Sequence, residues 1–145
     1  MNLKIKKLNP DAKIPTYATE YSAGADLYAL LENAVTIAPC ETVLIKTGIS
    51  LEIPKGYAGL IYARSGMATK RGLAPANKVG VIDSDYRGEI MVALHNHGTA
   101  PQTIENGERI AQLVITPYIQ ADFTLTDMLS DTERSDGGFG STGSK

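Results

Sequence analysis

Proline or glycine interrupts this chain roughly every 10–15 residues, from Pro10, Pro15 and Gly24 through Pro39, Gly48, Pro54 and Gly56 to Gly107 and Pro117. A proline inside a helix removes a backbone donor and clashes with the preceding turn, so long helices have no room here. Between the breaks, apolar residues recur at every second position. Ile49, Leu51 and Ile53 alternate with Ser50 and Glu52 ahead of Pro54-Lys55-Gly56, and Ile90, Val92 and Leu94 alternate ahead of Asn96-His97-Gly98. Asn106-Gly107 marks a tight turn before a strand over Ile110–Ile115. A strand over Tyr57–Tyr62 and one short helix over Ser65–Arg71 are also predicted, while Asp122–Ser130 is ambiguous. Many short strands between regular turns predict an all-β sandwich or barrel.

The 145 residues make one domain, long enough to bury about two-thirds of the surface an unfolded chain exposes. With a formal net charge of -2, there is no basic field to gather a phosphate backbone, so no nucleic acid polymer is expected as a partner. No run approaches the roughly 18–20 apolar residues of a membrane-spanning helix, and the start MNLKIKKLNPDAKIP lacks the apolar stretch of a secretory signal. The single cysteine, Cys40, suits a reducing compartment and reads as a small core or near-core hydrophobe rather than a nucleophile. A cytoplasmic protein without membrane contact is expected. The last fifteen residues carry one apolar side chain, Phe139, so the domain is expected to span residues 1–130, followed by a mobile C-terminal arm over 131–145.

Five segments place glycine beside polar or acidic residues, where a ligand can approach the backbone closely. In the first, Ser22 to Leu27, Asp26 either faces a hard cation through oxygen or water, or bonds local backbone in a turn. In the second, Ala63-Arg64-Ser65-Gly66 leaves a strand with a guanidinium, a hydroxyl and amides. Ser65 is either part of an anion site or a simple helix cap. The third, Asn77 to Glu89, sets Asp83, Asp85 and Tyr86 on a turn between apolar strands. It can orient a water and offer an aromatic face, or be a solvated acidic tip. In the fourth, Gly107 to Val114, Arg109 and Gln112 bracket an apolar strand; Arg109 reads as an ion-pair member and Gln112 as a phosphate donor or a solvent-facing amide. The fifth, Arg134 to Gly143, combines glycine amides, the hydroxyls of Ser141 and Thr142, and Phe139 for stacking. That set suits a lid over a nucleotide triphosphate. His95 and His97 share a strand face, but a zinc site needs a third protein ligand that no cysteine–histidine cluster supplies.

These segments closely resemble, in order and spacing, the five motifs of the homotrimeric dUTPase family: AGADLYA, ARSG, GVIDSDYRGE, GERIAQLV and RSDGGFGSTG. The resemblance runs from about Ser22 to Gly143. It implies a jelly-roll-like β-barrel in a homotrimer whose active sites are shared between subunits. It further implies Mg²⁺-assisted hydrolysis of dUTP to dUMP and pyrophosphate, which limits uracil in DNA and supplies dUMP for thymidylate synthesis. By motif position, Asp83 would orient the attacking water and Tyr86 would pack under the deoxyribose and exclude a 2′-hydroxyl. Asn77, with the main chain of Gly80 and Val81, would read uracil. Arg64, Ser65, Gly66 and Gln112 would hold phosphates, and Asp26 would reach Mg²⁺ through water. Arg134, Phe139, Gly140, Ser141 and Thr142 would close over the nucleotide. One departure is Ser135, where the family usually has glycine. The dCTP deaminases resemble the same fold but need a base-activating glutamate and a cytosine-specific hairpin, whereas this hairpin keeps its tyrosine. A binding module without turnover is a second alternative, which the intact Asp83 and complete arm disfavour.

Overall fold

The computed structural model describes residues 1–138. Twelve strands and one helix follow in the order β1 (Lys4–Lys7), β2 (Thr16–Tyr17), β3 (Ala25–Tyr28), β4 (Val35–Ile37), β5 (Thr42–Lys46), β6 (Ile49–Glu52), β7 (Tyr57–Tyr62), α1 (Ser65–Arg71), β8 (Leu73–Pro75), β9 (Gly80–Ile82), β10 (Met91–Asn96), β11 (Gln102–Ile104) and β12 (Arg109–Pro117). The all-β class is as expected, and both β7 and α1 fall on the predicted residues. Hydrogen bonding joins the strands into four sheets, β2-β3-β12-β7-β9, β5-β10-β8, β1-β6 and β4-β11, all paired antiparallel.

The sheets enclose one apolar core. Leu27, Ile37, Ile45, Ile49, Leu73, Ile90, Leu94, Ile104 and Ile110 are completely buried, and they come from eight different strands or their ends. Burying each such side chain stabilises the fold by roughly 1.5–3 kcal/mol. Period two explains the placement: in β10 the residues Val92, Leu94 and Asn96 point inward while Met91, Ala93 and His95 are half-buried on the other face.

Asn96 is the polar member of that inward row. Its Nδ2 donates to Ile37 O at 3.0 Å and Ala100 O at 2.9 Å, and its Oδ1 accepts from Gly98 N at 2.9 Å. A buried amide so satisfied joins two sheets without a desolvation penalty. Ser50, expected on the solvent side of its strand, is also buried, because its Oγ donates to Arg87 O at 2.7 Å. Cys40 departs from its expected core position: it is exposed, in a left-handed conformation at φ 62°, with its N–H donating to Asn96 O.

Beyond Pro117 no strand or helix occurs among the described residues. Residues 118–138 run largely exposed, with Ile119, Phe123, Leu125, Met128 and Leu129 each more than four-fifths accessible. No helix among the described residues is long and apolar enough to cross a membrane.

Candidate active site

Three of the five segments meet at one end of the large sheet. Gln112 lies opposite Asp26 on one side and opposite Tyr62 on the other, so β12 brings the first, second and fourth segments side by side. Directly opposed residues of antiparallel strands share a face. Asp26 is buried, and each of its carboxylate oxygens is held by a different guanidinium: Oδ1 by Arg64 Nε at 2.7 Å and Oδ2 by Arg109 Nη1 at 3.2 Å. Gln112 Nε2 donates to Ala63 O at 2.9 Å. Arg109 and Gln112 are three residues apart, a spacing that puts strand side chains on opposite faces. A register shift between Arg109 and Ala111 adds one residue and turns both to the Asp26 side.

Arg64 is the cap residue of α1, with extended backbone (φ -83°, ψ 138°), and Ser65 is the first helical residue with no side-chain capping bond. The cap reading of Ser65 therefore gives way to one in which its hydroxyl is exposed. The first helical bond runs from Ala68 N to Arg64 O at 3.0 Å, so the amides of Ser65, Gly66 and Met67 have no intrahelical acceptor. A Cβ at Gly66 would meet nothing within 4 Å, leaving open space over these amides.

The third segment builds a second patch. Asn77 stands on the turn before β9, where Lys78 takes φ 65°. Its Nδ2 lies 3.4 Å from where a Gly80 Cβ would sit, so the missing side chain lets the amide rest on the strand. At the far end of β9, Tyr86 N donates to Asp83 O at 3.2 Å and closes a turn that leaves Asp83 exposed. Arg87 Nη1 caps the same turn through Ser84 O at 2.7 Å and Tyr86 O at 2.9 Å. The Tyr86 ring folds back over Gly88, where a Cβ would approach the hydroxyl to 2.3 Å. A cavity of about 230 Å³ lies beside it, with an apolar floor of Leu44, Val81 and Met91 and with Asp83 and Tyr86 at its wall. Leu44 and Met91 come from strands outside the five segments, and sequence reasoning missed them. A larger groove of about 830 Å³ opens on the other side of the Asp83 turn, bounded by Lys4, Glu52 and Tyr118.

The Asp83 end of the second patch stands apart from the first. Ile82 pairs with Gly59, so Asp83 lies level with Ala58, whereas Gly80 pairs with Ile61, three residues from Arg64. The four strand steps from Ala58 to Tyr62, where β7 ends, span about 13 Å at roughly 3.3 Å per residue, and Arg64 lies beyond them.

Known proteins share both the sequence pattern and this arrangement of strands. The dUTPase family model matches residues 10–143, nearly the whole sequence. The chain belongs to the dUTPase family. It is 49% identical over 145 residues to the deoxyuridine 5'-triphosphate nucleotidohydrolase of Hydrogenobaculum sp. (strain Y04AAS1), covering 100% of both chains. It is 52% identical over 143 residues to the enzyme of the same name from Nautilia profundicola, covering 99% of each. Among solved structures, the Staphylococcus bacteriophage 80alpha dUTPase with dUpNHpp superposes with a TM-score of 0.89 at 30% identity, covering 98% of both chains. A point mutant of the dUTPase from phage phi11 of S. aureus, a structure that details the coordination of a structural Mg(II) ion, has a TM-score of 0.79 at 25% identity over 88% of this chain and 98% of its own. The family's jelly-roll-like β fold is thus the fold of this member.

In this dUTPase-family chain, the candidate residues Asp26, Arg64, Ser65, Gly66 and Gln112 form the first patch, and Asn77, Gly80, Val81, Asp83 and Tyr86 the second. Arg134 joins neither: its Nε donates to Gly137 O at 2.9 Å within its own segment. Ser135, in place of the usual glycine, does occupy the left-handed region at φ 45°, a conformation costing a non-glycine residue about 1 kcal/mol. Phe139, Gly140, Ser141 and Thr142 lie outside the described residues. His95 and His97 stack edge-on with ring centroids 4.3 Å apart, His95 Nδ1 bonding Thr42 Oγ1 at 2.8 Å. Loss of water contact, then the Lys78 ammonium and His95, hold His97 below the ordinary histidine range.

Proposed function

We propose that this dUTP diphosphatase cleaves dUTP to dUMP and pyrophosphate in a cytoplasmic homotrimer, by in-line attack of an Asp83-oriented water on the α-phosphorus. The observation that carries the proposal is the separation of the two patches. One chain offers a phosphate-type patch around Arg64 past one end of β7 and places the Asp83 turn beside its other end, at least about 13 Å away at the strand spacing, more than the length of a triphosphate chain. A complete site therefore needs the Arg64 patch of one copy against the Asp83 turn of another, in keeping with the trimer that the family motifs imply.

In that site the nucleoside enters the cavity with its sugar against Tyr86, and Asn77 with the Gly80 and Val81 main chain pairs with uracil. A buried donor and acceptor set for uracil leaves groups unpaired against cytosine, which is how such sites discriminate. Arg64, the amides and hydroxyl of Ser65 and Gly66, and Gln112 hold phosphate oxygens. Holding Arg64 by one nitrogen on Asp26 fixes the direction of the rest of its fork, and preorganised donors of this kind lower the barrier most. Asp83 accepts a proton of the water and aims its lone pair, supplying proximity first and basicity second. Arg134, Phe139, Gly140, Ser141 and Thr142 close over the nucleotide and exclude bulk water.

Asp26 suits Mg²⁺ only through water. Both of its oxygens already bind guanidiniums, while an ionised carboxylate has about four lone-pair positions. The free positions can accept from a hydrated cation, and Mg²⁺ commonly keeps several waters and sits on substrate phosphates. Among the described residues no cluster of three His, Cys, Asp or Glu side chains offers a direct cage. When bound with the nucleotide, Mg²⁺ neutralises charge on the phosphate chain.

The test is a panel of dUTP, UTP, dTTP and dCTP with and without Mg²⁺, with pyrophosphate and ammonia assayed separately. Pyrophosphate from dUTP, strongly favoured over the others and increased by Mg²⁺, is expected. An inert dUTP sample would end the proposal, and ammonia from dCTP would replace it with deamination.

A further inference from the structure

Outside all five segments, the stretch Thr47-Gly48-Ile49-Ser50, from the β5–β6 turn into the start of β6, makes four hydrogen bonds to the chain just after Tyr86. Thr47 Oγ1 donates to Ile90 O, Gly48 N donates to Glu89 Oε1 at 2.8 Å, Ile90 N donates to Ile49 O at 2.8 Å, and Ser50 Oγ donates to Arg87 O at 2.7 Å. Thr47 and Ser50 are both buried, which is unusual for hydroxyls unless they are paired.

One of these bonds leads directly to the ring. Tyr86 Oη donates to Glu89 O at 3.0 Å. The amide on the other side of that same planar peptide is Ile90 N–H, which is held by Ile49 O. The acceptor of the tyrosine hydroxyl is therefore pinned from behind by the 47–50 stretch. The next carbonyl, of Ile90, is pinned by the Thr47 hydroxyl, and that of Arg87, two residues back, by the Ser50 hydroxyl. On its other side the ring rests on Gly88, with no side chain between them. The ring's position is thus set by a mould made largely from residues about 40 positions earlier in the chain, Thr47 and Ile90 being 43 positions apart.

We infer that Thr47 and Ser50 are specificity-positioning residues: through the Arg87–Ile90 backbone they hold Tyr86 where it closes the sugar pocket to a 2′-hydroxyl. The inference rests on the proposed dUTP hydrolysis and on Tyr86 as its sugar platform. Neither hydroxyl touches nucleotide. Their loss loosens the peptide that anchors the ring, and a misplacement of about 1 Å at a tightly fitted centre can cost a hundredfold in rate.

The experiment compares kcat/KM for dUTP and for UTP in the full-length protein and in Ser50→Ala, Thr47→Val and Thr47→Ser, with thermal midpoints measured alongside. Thr47→Val keeps the shape and loses the hydroxyl; Thr47→Ser keeps the hydroxyl and loses a methyl. The dUTP:UTP ratio is expected to fall about tenfold in Ser50→Ala and Thr47→Val and to stay within about twofold in Thr47→Ser. Both Thr47 variants should lose stability, so selectivity that tracks the hydroxyl separates positioning from mere support. An unchanged ratio in active Ser50→Ala overturns the inference even if Thr47→Val does not fold. A ratio that falls equally in Thr47→Ser also overturns it. Wild-type protein inert toward dUTP would instead overturn the function on which it rests.

Discussion

Gly24 and Gln112 touch across the β3–β12 pair so closely that a Cβ on Gly24 would stand 2.4 Å from Gln112 Oε1 and 3.2 Å from its Cβ. The glycine is therefore what allows the amide to lie flat and bond Ala63 O. Gly24→Ala is expected to push Gln112 off that bond and away from the Asp26–Arg64 patch proposed to hold phosphate. We expect kcat/KM for dUTP to fall at least about tenfold with the fold retained. Unchanged kinetics together with an unchanged thermal midpoint would show that Gln112 has room to move without consequence.

Asp26 carries two guanidiniums, so its charge matters more than its shape. Asp26→Asn leaves Arg64 and Arg109 facing each other without a counter-charge. Removing one partner of a buried ion pair costs about 3–5 kcal/mol, and the half-exposure of Arg109 reduces this to about 2 kcal/mol. A urea midpoint shifted down by that amount, with weaker dUTP binding, is expected. A midpoint equal to wild type would mean that water replaces the carboxylate fully.

Asp83 is exposed and hydrogen-bonds through its backbone rather than its carboxylate among the described contacts. Asp83→Asn should leave the turn intact. Binding of a non-hydrolysable dUTP analogue should stay within a few-fold, while kcat falls about 10²–10⁴-fold, the usual range for losing a positioned base. Calorimetry and single-turnover kinetics read the two effects separately. Near-normal turnover would remove Asp83 from the mechanism.

Residues 131–136 are exposed, and the hydrogen bonds of residues 132–137 stay within their own segment. Deleting 134–145 is therefore expected to leave the thermal midpoint and the oligomeric mass unchanged while lowering kcat/KM for dUTP by about 10²-fold, the loss that follows when a closing segment no longer excludes water. An active truncated protein would assign the lid role elsewhere.

Local patterns made much of this molecule legible. The short apolar run Tyr57–Tyr62 and the break into Ser65–Arg71 appear in the structure residue for residue, because each depends on strand-forming side chains and turn chemistry within a few positions. The same local reading failed for Ser50 and Cys40. Strict alternation sends Ser50 outward, yet a carbonyl 37 residues away draws it inward. Apolar character sends Cys40 inward, yet a turn in the left-handed region leaves it exposed.

The sequence by itself determined the class of fold, the short helix, the turns and the residue types needed to hold a nucleotide. Those follow from constraints acting over one turn or one strand. The tertiary structure alone decided that Asp26 serves guanidiniums from 38 and 83 residues away, that a bulge brings Arg109 and Gln112 to one face, and that residues 47–50, outside every motif, bond the backbone around the Glu89 carbonyl that Tyr86 reaches. Such relations depend on which strands pair and in what register. Register is set by packing of the whole core, which no local window of sequence contains.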